Sequence, residues 1–434
     1  MPPAPSDRSY RALLAVPSLV RVVAGMQLGR IAGGMVSVAV VLFTLTTYHS
    51  AELAGVVTFV SLAPGMLVSP IAGALLDRHG RSRLVLADYV VAAASFALIG
   101  ALALAGALPA WLLILISAVA SLTNPLSTTG LRSLFPLLVP RHLWERINAI
   151  DSMGYVVATI IGPPLAGGLV AVWGGPVALI AVACVFVAAA VVVVGIPDPP
   201  TDGTSTGRLL VDAWQGLRYT WRNPTLRALG FSISAMNLAG GVVTIVVPLI
   251  VLDHLHQGPA TAGAVFAASG VGGGLAALAF GRINSAGRER AMLVLPMLGT
   301  AGAMALLLGG QLGLLVAAMT IQGLLNGPMD IGLFTLRQRR TDPAWMGRAF
   351  AVSMSFNFAG FPVGSAIAGW IASRSIEGAV LFAAAACLLA AVIAWRWIPR
   401  TDASDSGERG AGRYARPQSD PNGPGGNRAG AAAD

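Results

Sequence analysis

The side chains best suited to chemistry in this sequence lie inside long apolar segments. Arg30 follows Arg21 by nine residues in one such segment, which places it roughly 13 Å deeper at about 1.5 Å per helical residue. A guanidinium at that depth is hard to extend to water, so we expect it to face a cavity or a carboxylate. Asp330 is the partner that we expect, and protonation of its carboxylate would release the pair. Asp88, just beyond Arg83, is expected to be a structural partner for nearby arginines.

The composition explains why these charges stand out. Hydrophobic residues make up 55% of the 434 residues and charged residues only 11%, against about 25% in soluble domains. Segments of about 20 apolar residues match the thickness of a bilayer, and in lipid such segments must be helical. The sequence therefore predicts an all-α integral membrane protein with twelve spans: 22–46, 53–76, 84–106, 109–131, 148–172, 176–196, 228–252, 260–281, 291–310, 312–335, 349–373 and 377–396.

The arginines give these spans an orientation. The 28 basic residues are all arginine, and every one except Arg30 and Arg374 lies on the same side of the predicted spans. Positive loops stay in the cytoplasm, so we expect a multi-pass protein of a bacterial-type plasma (inner) membrane with both termini cytoplasmic. The net charge of +9 fits this topology better than nucleic-acid binding. Cys184 and Cys387 lie within apolar segments and predict no disulfide framework.

The chain divides at a polar linker and repeats itself around it. Asn124 and Asn326 occupy corresponding positions, as do Gly167 and Gly369, both pairs at the same offset. Two pseudo-symmetric bundles of six spans are therefore predicted, with a substrate site between them. The predicted divisions are a cytoplasmic N-terminus (1–21), a first bundle (22–196), a linker with an interfacial amphipathic helix (197–227), a second bundle (228–396) and a disordered cytoplasmic tail (397–434).

One polar hairpin between the second and third spans carries a recognisable pattern. The stretch GALLDRHGRSR, residues 73–83, resembles the signature loop of the major facilitator superfamily in its glycines, acid and basic residues: Gly73, Asp77, Arg78, Gly80, Arg81 and Arg83. The stretches 215–229 and 347–369 are similar to the branch that contains macrolide and siderophore exporters. The resemblance implies the superfamily fold, with Asp77 acting as a latch against span eleven and Arg81 as its ion-pair partner. In the second half Asn284 stands in place of this acid, which predicts a weak or missing second latch.

The resemblance also assigns a cavity. Spans one, four, seven and ten line the central cavity in this superfamily, and the polar residues proposed here for substrate and proton coupling lie on those spans: Arg30, Asn124, Asn237, Asn326 and Asp330. Spans five and eleven carry glycine–proline runs that permit close packing and bending: Gly162, Pro163 and Gly167, then Gly360, Pro362 and Gly364. These runs do not match the antiporter motif of drug exporters by spacing.

These features predict a monomeric secondary active transporter that works by alternating access. The function that we expect is proton-coupled export of small, largely apolar compounds. An importer or uniporter of a metabolite on the same fold is the first alternative, and a non-transporting sensor, which would not need Arg30, is the second. The sequence predicts no catalytic constellation, no metal site and no cofactor, and without lysine it has no phosphate-binding loop of the Gly-x-x-x-x-Gly-Lys type.

Overall fold

A computed structural model describes residues 9–198, 209–280, 287–342 and 345–399. None of these residues forms a strand, and nearly all lie in helices. The spanning helices are α1 (Leu19–Tyr48), α2 (Ala51–Val60 and Ala63–His79), α3 (Arg81–Leu104), α4 (Ala110–Gly130), α5 and α6 (both within Trp144–Val193), α7 (Pro224–Leu249), α8 (Pro259–Phe280), α9 (Glu289–Leu307), α10 (Leu312–Arg339), α11 (Met346–Phe358 and Gly360–Ala372) and α12 (Ile376–Trp397).

The predicted number of spans is confirmed. In the part of the chain that the structure describes, 10 helical segments are long and apolar enough to cross a membrane. One of them, Arg146–Val193, holds both α5 and α6 because Gly174, at φ 81° and ψ 166°, reverses the chain within it. Helix α11 adds the twelfth span in two pieces of 13 residues each, divided at Ala359.

The remaining helices connect the spans. Tyr10–Leu14 precedes α1, and three short helical turns, Arg132–Leu134, Phe135–Leu138 and Arg141–Leu143, join α4 to α5. The helix Leu209–Arg222, which we call the connecting helix, lies where the amphipathic helix was predicted and exposes Trp214 and Trp221. A π-helical turn, Ile250–His254, extends α7. Residues 199–208 of the linker and residues 400–434 of the predicted disordered tail lie outside the described residues.

Consecutive spans alternate in direction, which gives the bundle two distinct ends. The arginine-rich end holds the start of α1 and the connections α2–α3, α4–α5, α6–α7, α8–α9 and α10–α11. The arginine-poor end holds the other connections, whose only charged residues are Glu52, Asp253, Arg374 and Glu377. Large apolar side chains are exposed along the outer helix surfaces, for example Leu67, Leu278 and Leu295. This is the surface expected of helices that face lipid.

The signature hairpin is built around Gly80, the single residue between α2 and α3. Its φ of 92° is a conformation that residues with a side chain rarely adopt. A Cβ at this position would lie 2.7 Å from Oδ2 of Asp198, at the end of α6. The same oxygen accepts hydrogen bonds from the backbone N–H of Ser82 (3.1 Å) and from its hydroxyl (3.4 Å). Asp198 therefore caps the N-terminus of α3, where a carboxylate is favoured by the helix dipole.

We predict that Gly80→Ala destabilises the folded protein by about 1–3 kcal/mol, because it imposes a strained φ and displaces the Asp198 cap. Thermal unfolding of the detergent-solubilised protein measures this as a lower Tm. Gly302→Ala is the matched control, since an added Cβ on this helical glycine would meet no described atom within 4 Å. Equal Tm values for the two variants would contradict the assigned role of Gly80.

Candidate functional site

The intramembrane arginine of α1 forms an ion pair with a carboxylate of α5. Nη2 of Arg30 lies 2.5 Å from Oδ1 of Asp151, and Nη1 donates to the backbone carbonyl of Asp151 at 2.9 Å. The Asp151 side chain is 1% exposed and that of Arg30 is 12% exposed. The predicted pairing of Arg30 with Asp330 is therefore wrong: the guanidinium is neutralised within the first bundle.

A second arginine approaches the same carboxylate from the arginine-rich end. Nε of Arg132, in the turn that follows α4, lies 3.1 Å from Oδ2 of Asp151, and its side chain is 57% exposed. The ion cluster, as it is called here, consists of the side chains of Arg30, Asp151 and Arg132. It begins at a nearly buried arginine, passes through a buried carboxylate and ends at an exposed arginine. This order connects the membrane interior to the arginine-rich end through one buried carboxylate.

Helix geometry explains why these groups meet. Residues three and four apart share a helix face, and Asp151, Gly154 and Tyr155 form such a set on α5 opposite Gln27 and Arg30 on α1. Cζ of Arg30 lies 3.8 Å from the centre of the Tyr155 ring, and Nε2 of Gln27 donates to the Gly154 carbonyl at 3.1 Å. A Cβ on Gly154 would lie 2.7 Å from Nη1 of Arg30, so glycine makes room for the guanidinium. The cation is held by an anion, a carbonyl and an aromatic face.

The structure does not bring the other predicted cavity residues to this cluster. Asn124 and Asp330 are exposed and Asn326 is half-buried, and no hydrogen bond or ion pair among the described residues links any of them to Arg30. Asn237 instead ties α7 to α11, because its Nδ2 donates to the carbonyls of Ile233 and Asn357 at 3.1 Å each. A substrate role for these four residues stays a prediction.

The second bundle contains a polar network that the sequence reasoning missed. Arg337 of α10 is fully buried, and its Nη1 lies 2.8 Å from Sδ of Met354 on α11. The Asn357 side chain, in its hydrogen-bonded orientation, accepts from Arg337 and donates to the Ser353 carbonyl at 3.0 Å. Arg337 lies two residues beyond the predicted tenth span (312–335), whereas the observed helix α10 continues to Arg339. Its spacing of two turns from Asp330 was the signal that the sequence offered.

Asp88 of α3 is buried in a neutral environment. The hydroxyls of Thr123 and Ser127 on α4 lie beside its carboxylate, and its Oδ1 has no hydrogen-bond partner in the described part of the chain. No ion pair among the described side chains involves Asp88, so the structure gives it hydroxyl neighbours in place of the expected arginine.

The signature hairpin can be followed only in part. Arg78 and Arg83 are exposed and Arg81 is buried at the start of α3. The Asp77 side chain lies outside the described part of the chain, as does Asn284, so the latch and its missing counterpart stay predictions. Gly73 lies within α2, one turn before Asp77.

The glycines of the predicted packing runs fall into two groups. Gly162 packs against Gly34 of α1, and Gly360 and Gly364 pack against the backbone of α7, so these contacts lie within a bundle. Gly167 instead contacts the other bundle. Pro163 and Pro362 lie in the same runs: the Pro163 carbonyl faces α8, and the Pro362 carbonyl accepts from Oγ of Ser365 at 2.8 Å. Close packing is thus observed, whereas bending at these positions stays a prediction.

Two glycine pairs join the bundles towards the arginine-poor end. A Cβ on Gly55 of α2 would lie 3.0 Å from Cα of Gly369 on α11. A Cβ on Gly167 of α5 would lie 3.1 Å from Cα of Gly263 on α8. In each pair the backbones are so close that neither residue has room for a side chain. The two contacts are related by the internal repeat, since Gly167 corresponds to Gly369.

Comparisons with known proteins agree with this architecture. Residues 21–418 match the family model described as a transmembrane secretion effector, MFS_3. The chain is 37% identical over 395 residues to the uncharacterized MFS-type transporter y4rN of Sinorhizobium fredii, covering 88% of this chain and 96% of that protein. It is 23% identical to macrolide efflux protein A of Streptococcus pyogenes, covering 81% of this chain and 88% of that protein. It is 25% identical to the multidrug efflux pump Tap of Mycolicibacterium fortuitum, covering 85% of this chain and 92% of that protein.

Solved structures share the fold at low sequence identity. The nucleoside transporter NupG superposes with a TM-score of 0.69 at 12% identity, covering 88% of this chain and 99% of that chain. The inward-open xylose transporter XylE from E. coli superposes with a TM-score of 0.68 at 14% identity, covering 88% of this chain and 97% of that chain. These similarities support the twelve-helix arrangement in two six-helix bundles.

We predict that Asp151→Asn lowers the free energy of unfolding by about 3–5 kcal/mol, because it leaves the Arg30 charge buried without its counter-ion. The double variant Arg30→Gln/Asp151→Asn should recover at least about 1 kcal/mol of this loss. Thermal unfolding of the purified variants provides the measurement. Glu52→Gln is the control, since it breaks an exposed pair with Arg374 (3.7 Å) and should change stability by less than about 1 kcal/mol. Strictly additive single effects at Arg30 and Asp151 would contradict the pairing.

Proposed function

This chain belongs to the transmembrane secretion effector family of the major facilitator superfamily, and on that premise we propose that it exports small, largely apolar compounds in exchange for protons. Members of the superfamily are multi-pass membrane transporters of small molecules. Export is favoured by the macrolide and multidrug efflux proteins among its relatives. We further propose that it works as a monomer in the plasma membrane, with the arginine-rich end and both termini in the cytoplasm.

The observation that carries the proposal is the ion cluster. A carboxylate that holds two arginines inside a membrane protein is expensive to build and marks a functional site by default. In the proposed cycle a proton reaches Asp151 by way of the exposed Arg132 side and neutralises the carboxylate. Arg30 then loses its counter-ion, so α1 and α5 no longer hold each other in the same way. Asp151 takes over the proton-accepting role that the sequence assigned to Asp330, which is kept as a second candidate.

Alternating access requires that the bundles separate at one end while they close at the other. The glycine pairs Gly55–Gly369 and Gly167–Gly263 support a state in which the arginine-poor end is closed. We infer that the opposite, cytoplasmic end is the one from which substrate enters in this state. Opening outward would break both glycine contacts and, beside Gly369, the exposed ion pair of Glu52 with Arg374.

The composition of the spans supports an apolar substrate class. Outside the few polar residues named above, the spans consist mostly of Gly, Ala, Val and Leu. Such walls offer dispersion contacts and few hydrogen bonds, which suits apolar compounds of varied shape.

Transport assays with matched carboxylate variants test the coupling. We predict that Asp151→Asn and Arg30→Gln each lower proton-driven efflux at least tenfold in proteoliposomes of equal protein content, because both variants remove the switchable pair. Asp88→Asn, Asp330→Asn and the exposed control Glu52→Gln are measured beside them with a panel of hydrophobic dyes and macrolides. A protonophore should abolish the wild-type signal.

The proposal fails at different points for different results. Full efflux by Asp151→Asn would remove the ion cluster from the cycle, and loss of efflux in Asp330→Asn alone would return the coupling role to α10. Wild-type transport that persists under a protonophore would contradict proton coupling. Substrate accumulation inside cells that is driven by the same gradient would favour import over export.

A cross-link tests the closed end directly. Oγ of Ser373 lies 2.9 Å from Oε1 of Glu52, so cysteines at these two positions should react with a short bifunctional thiol reagent. We predict that Glu52→Cys/Ser373→Cys, with Cys184 replaced by Ser, stops transport when cross-linked and recovers when a cleavable linker is reduced. The two single-cysteine variants are the controls. Unimpaired transport by the cross-linked protein would show that this end does not need to open.

A further inference from the structure

A cleft of about 460 Å³ lies at the arginine-rich end, away from the ion cluster. Its lining residues are Trp221, Pro224, Arg227, Phe231 and Trp397. Trp221 comes from the connecting helix, Trp397 is the last residue of α12, and the other three belong to the first two turns of α7. The cleft therefore lies where two spans leave the bilayer, at the depth of the lipid headgroups.

Aromatic rings form the walls of this cleft. The Phe231 ring lies edge-on to Trp221 (centroids 6.0 Å apart) and to Trp397 (5.8 Å), and it is anchored from behind by Phe356 (5.0 Å). Trp221 and Trp397 are 54% and 51% exposed. Two half-exposed indoles fixed against a half-buried ring offer a preformed apolar surface at low entropic cost. Tryptophan at this depth is typical of residues that contact the lipid interface.

One guanidinium supplies the polar side of the cleft. Arg227 is exposed, and its Nη1 makes a long hydrogen bond of 3.4 Å to the Trp221 carbonyl. A guanidinium carries five N–H donors in a planar fork that matches phosphate oxygens. None of the lining residues is acidic, and the exposed cations Arg218, Arg222 and Arg396 are close along the chain. The cleft and its surroundings are therefore complementary to an anion.

We propose that this cleft binds an anionic phospholipid of the surrounding leaflet. Arg227 donates to the phosphodiester, while Trp221 and Trp397 pack against the glycerol backbone and the first acyl methylenes. A free phosphate would leave the aromatic walls unused, and a zwitterionic lipid would bring a cation towards Arg227. Trp221 belongs to the connecting helix, whereas the other lining residues belong to α7 and α12. A bound lipid therefore holds the connecting helix against the second bundle. Basic clefts of this kind suit anionic headgroups at the cytoplasmic surface.

Native mass spectrometry of the full-length, delipidated protein tests the site. Phosphatidylglycerol and phosphatidylcholine with identical acyl chains are titrated separately, and the first bound lipid is quantified. We expect the wild type to prefer phosphatidylglycerol and Arg227→Gln to bind it about fivefold more weakly, with phosphatidylcholine unchanged. Trp221→Ala/Trp397→Ala should weaken both lipids, because it removes the apolar walls.

Arg141→Gln is the matched control. Arg141 is exposed at the same end and lies 5.7 Å from the Trp144 ring, but it belongs to the first bundle. It should leave phosphatidylglycerol binding unchanged. Wild-type binding by Arg227→Gln would overturn the proposal, and so would an equal loss in Arg141→Gln, which would indicate a diffuse surface charge. Displacement of the lipid by low millimolar inorganic phosphate would also overturn it in favour of a simple anion site.

Discussion

Helices surrounded by lipid gain little from burying apolar side chains, because the acyl chains are as apolar as the partner helix. What remains to hold them together is close contact, and this chain obtains it at glycines such as Gly34, Gly162 and Gly364, where the backbones of two helices touch. Threonine side chains are compatible with such close contact. The hydroxyls of Thr44, Thr58 and Thr320 each donate a hydrogen bond of 2.8 Å to a backbone carbonyl of the preceding turn of their own helix. Their polarity is satisfied locally, which leaves the helix surfaces smooth enough for backbones to touch.

The same close packing makes the ion cluster possible. Gly34 and Gly162 bring the backbones of α1 and α5 together two turns above the contact between Gln27 and Gly154. A side chain in a helix leans towards the N-terminus, and both helices begin at the arginine-rich end. Arg30 therefore reaches back towards that end, where Asp151 lies nearer to the start of its own helix. If the helices were farther apart, the guanidinium could not reach this carboxylate and would need water to solvate its charge.

Hydropathy and charge alternation were sufficient to predict the spans to within a few residues, because length and loop charge are properties of single segments. The faces of the helices were not predictable in this way. A span that touches lipid on one side and protein on the other is apolar all round, so no periodic pattern indicates which helix faces Arg30. The expected pairing with Asp330 was wrong for that reason. The Asp198 cap on α3 joins residues that are distant in sequence, and only the fold brings them together.

Helix α5 connects the site to the contact between the bundles. One of its faces, with Asp151 and Tyr155, holds α1. The adjoining face meets α8, where a Cβ on Gly270 would lie 2.8 Å from Cγ1 of Ile160, and this contact continues to Gly167. Pro163, between these two regions, lacks the N–H that would bond to the preceding turn, so the predicted bend in α5 would separate the part near the cluster from the part near Gly167. In the proposed cycle, the protonation of Asp151 would therefore act on a helix that is packed against both bundles, which is where a coupling group must act to change the access of the cavity.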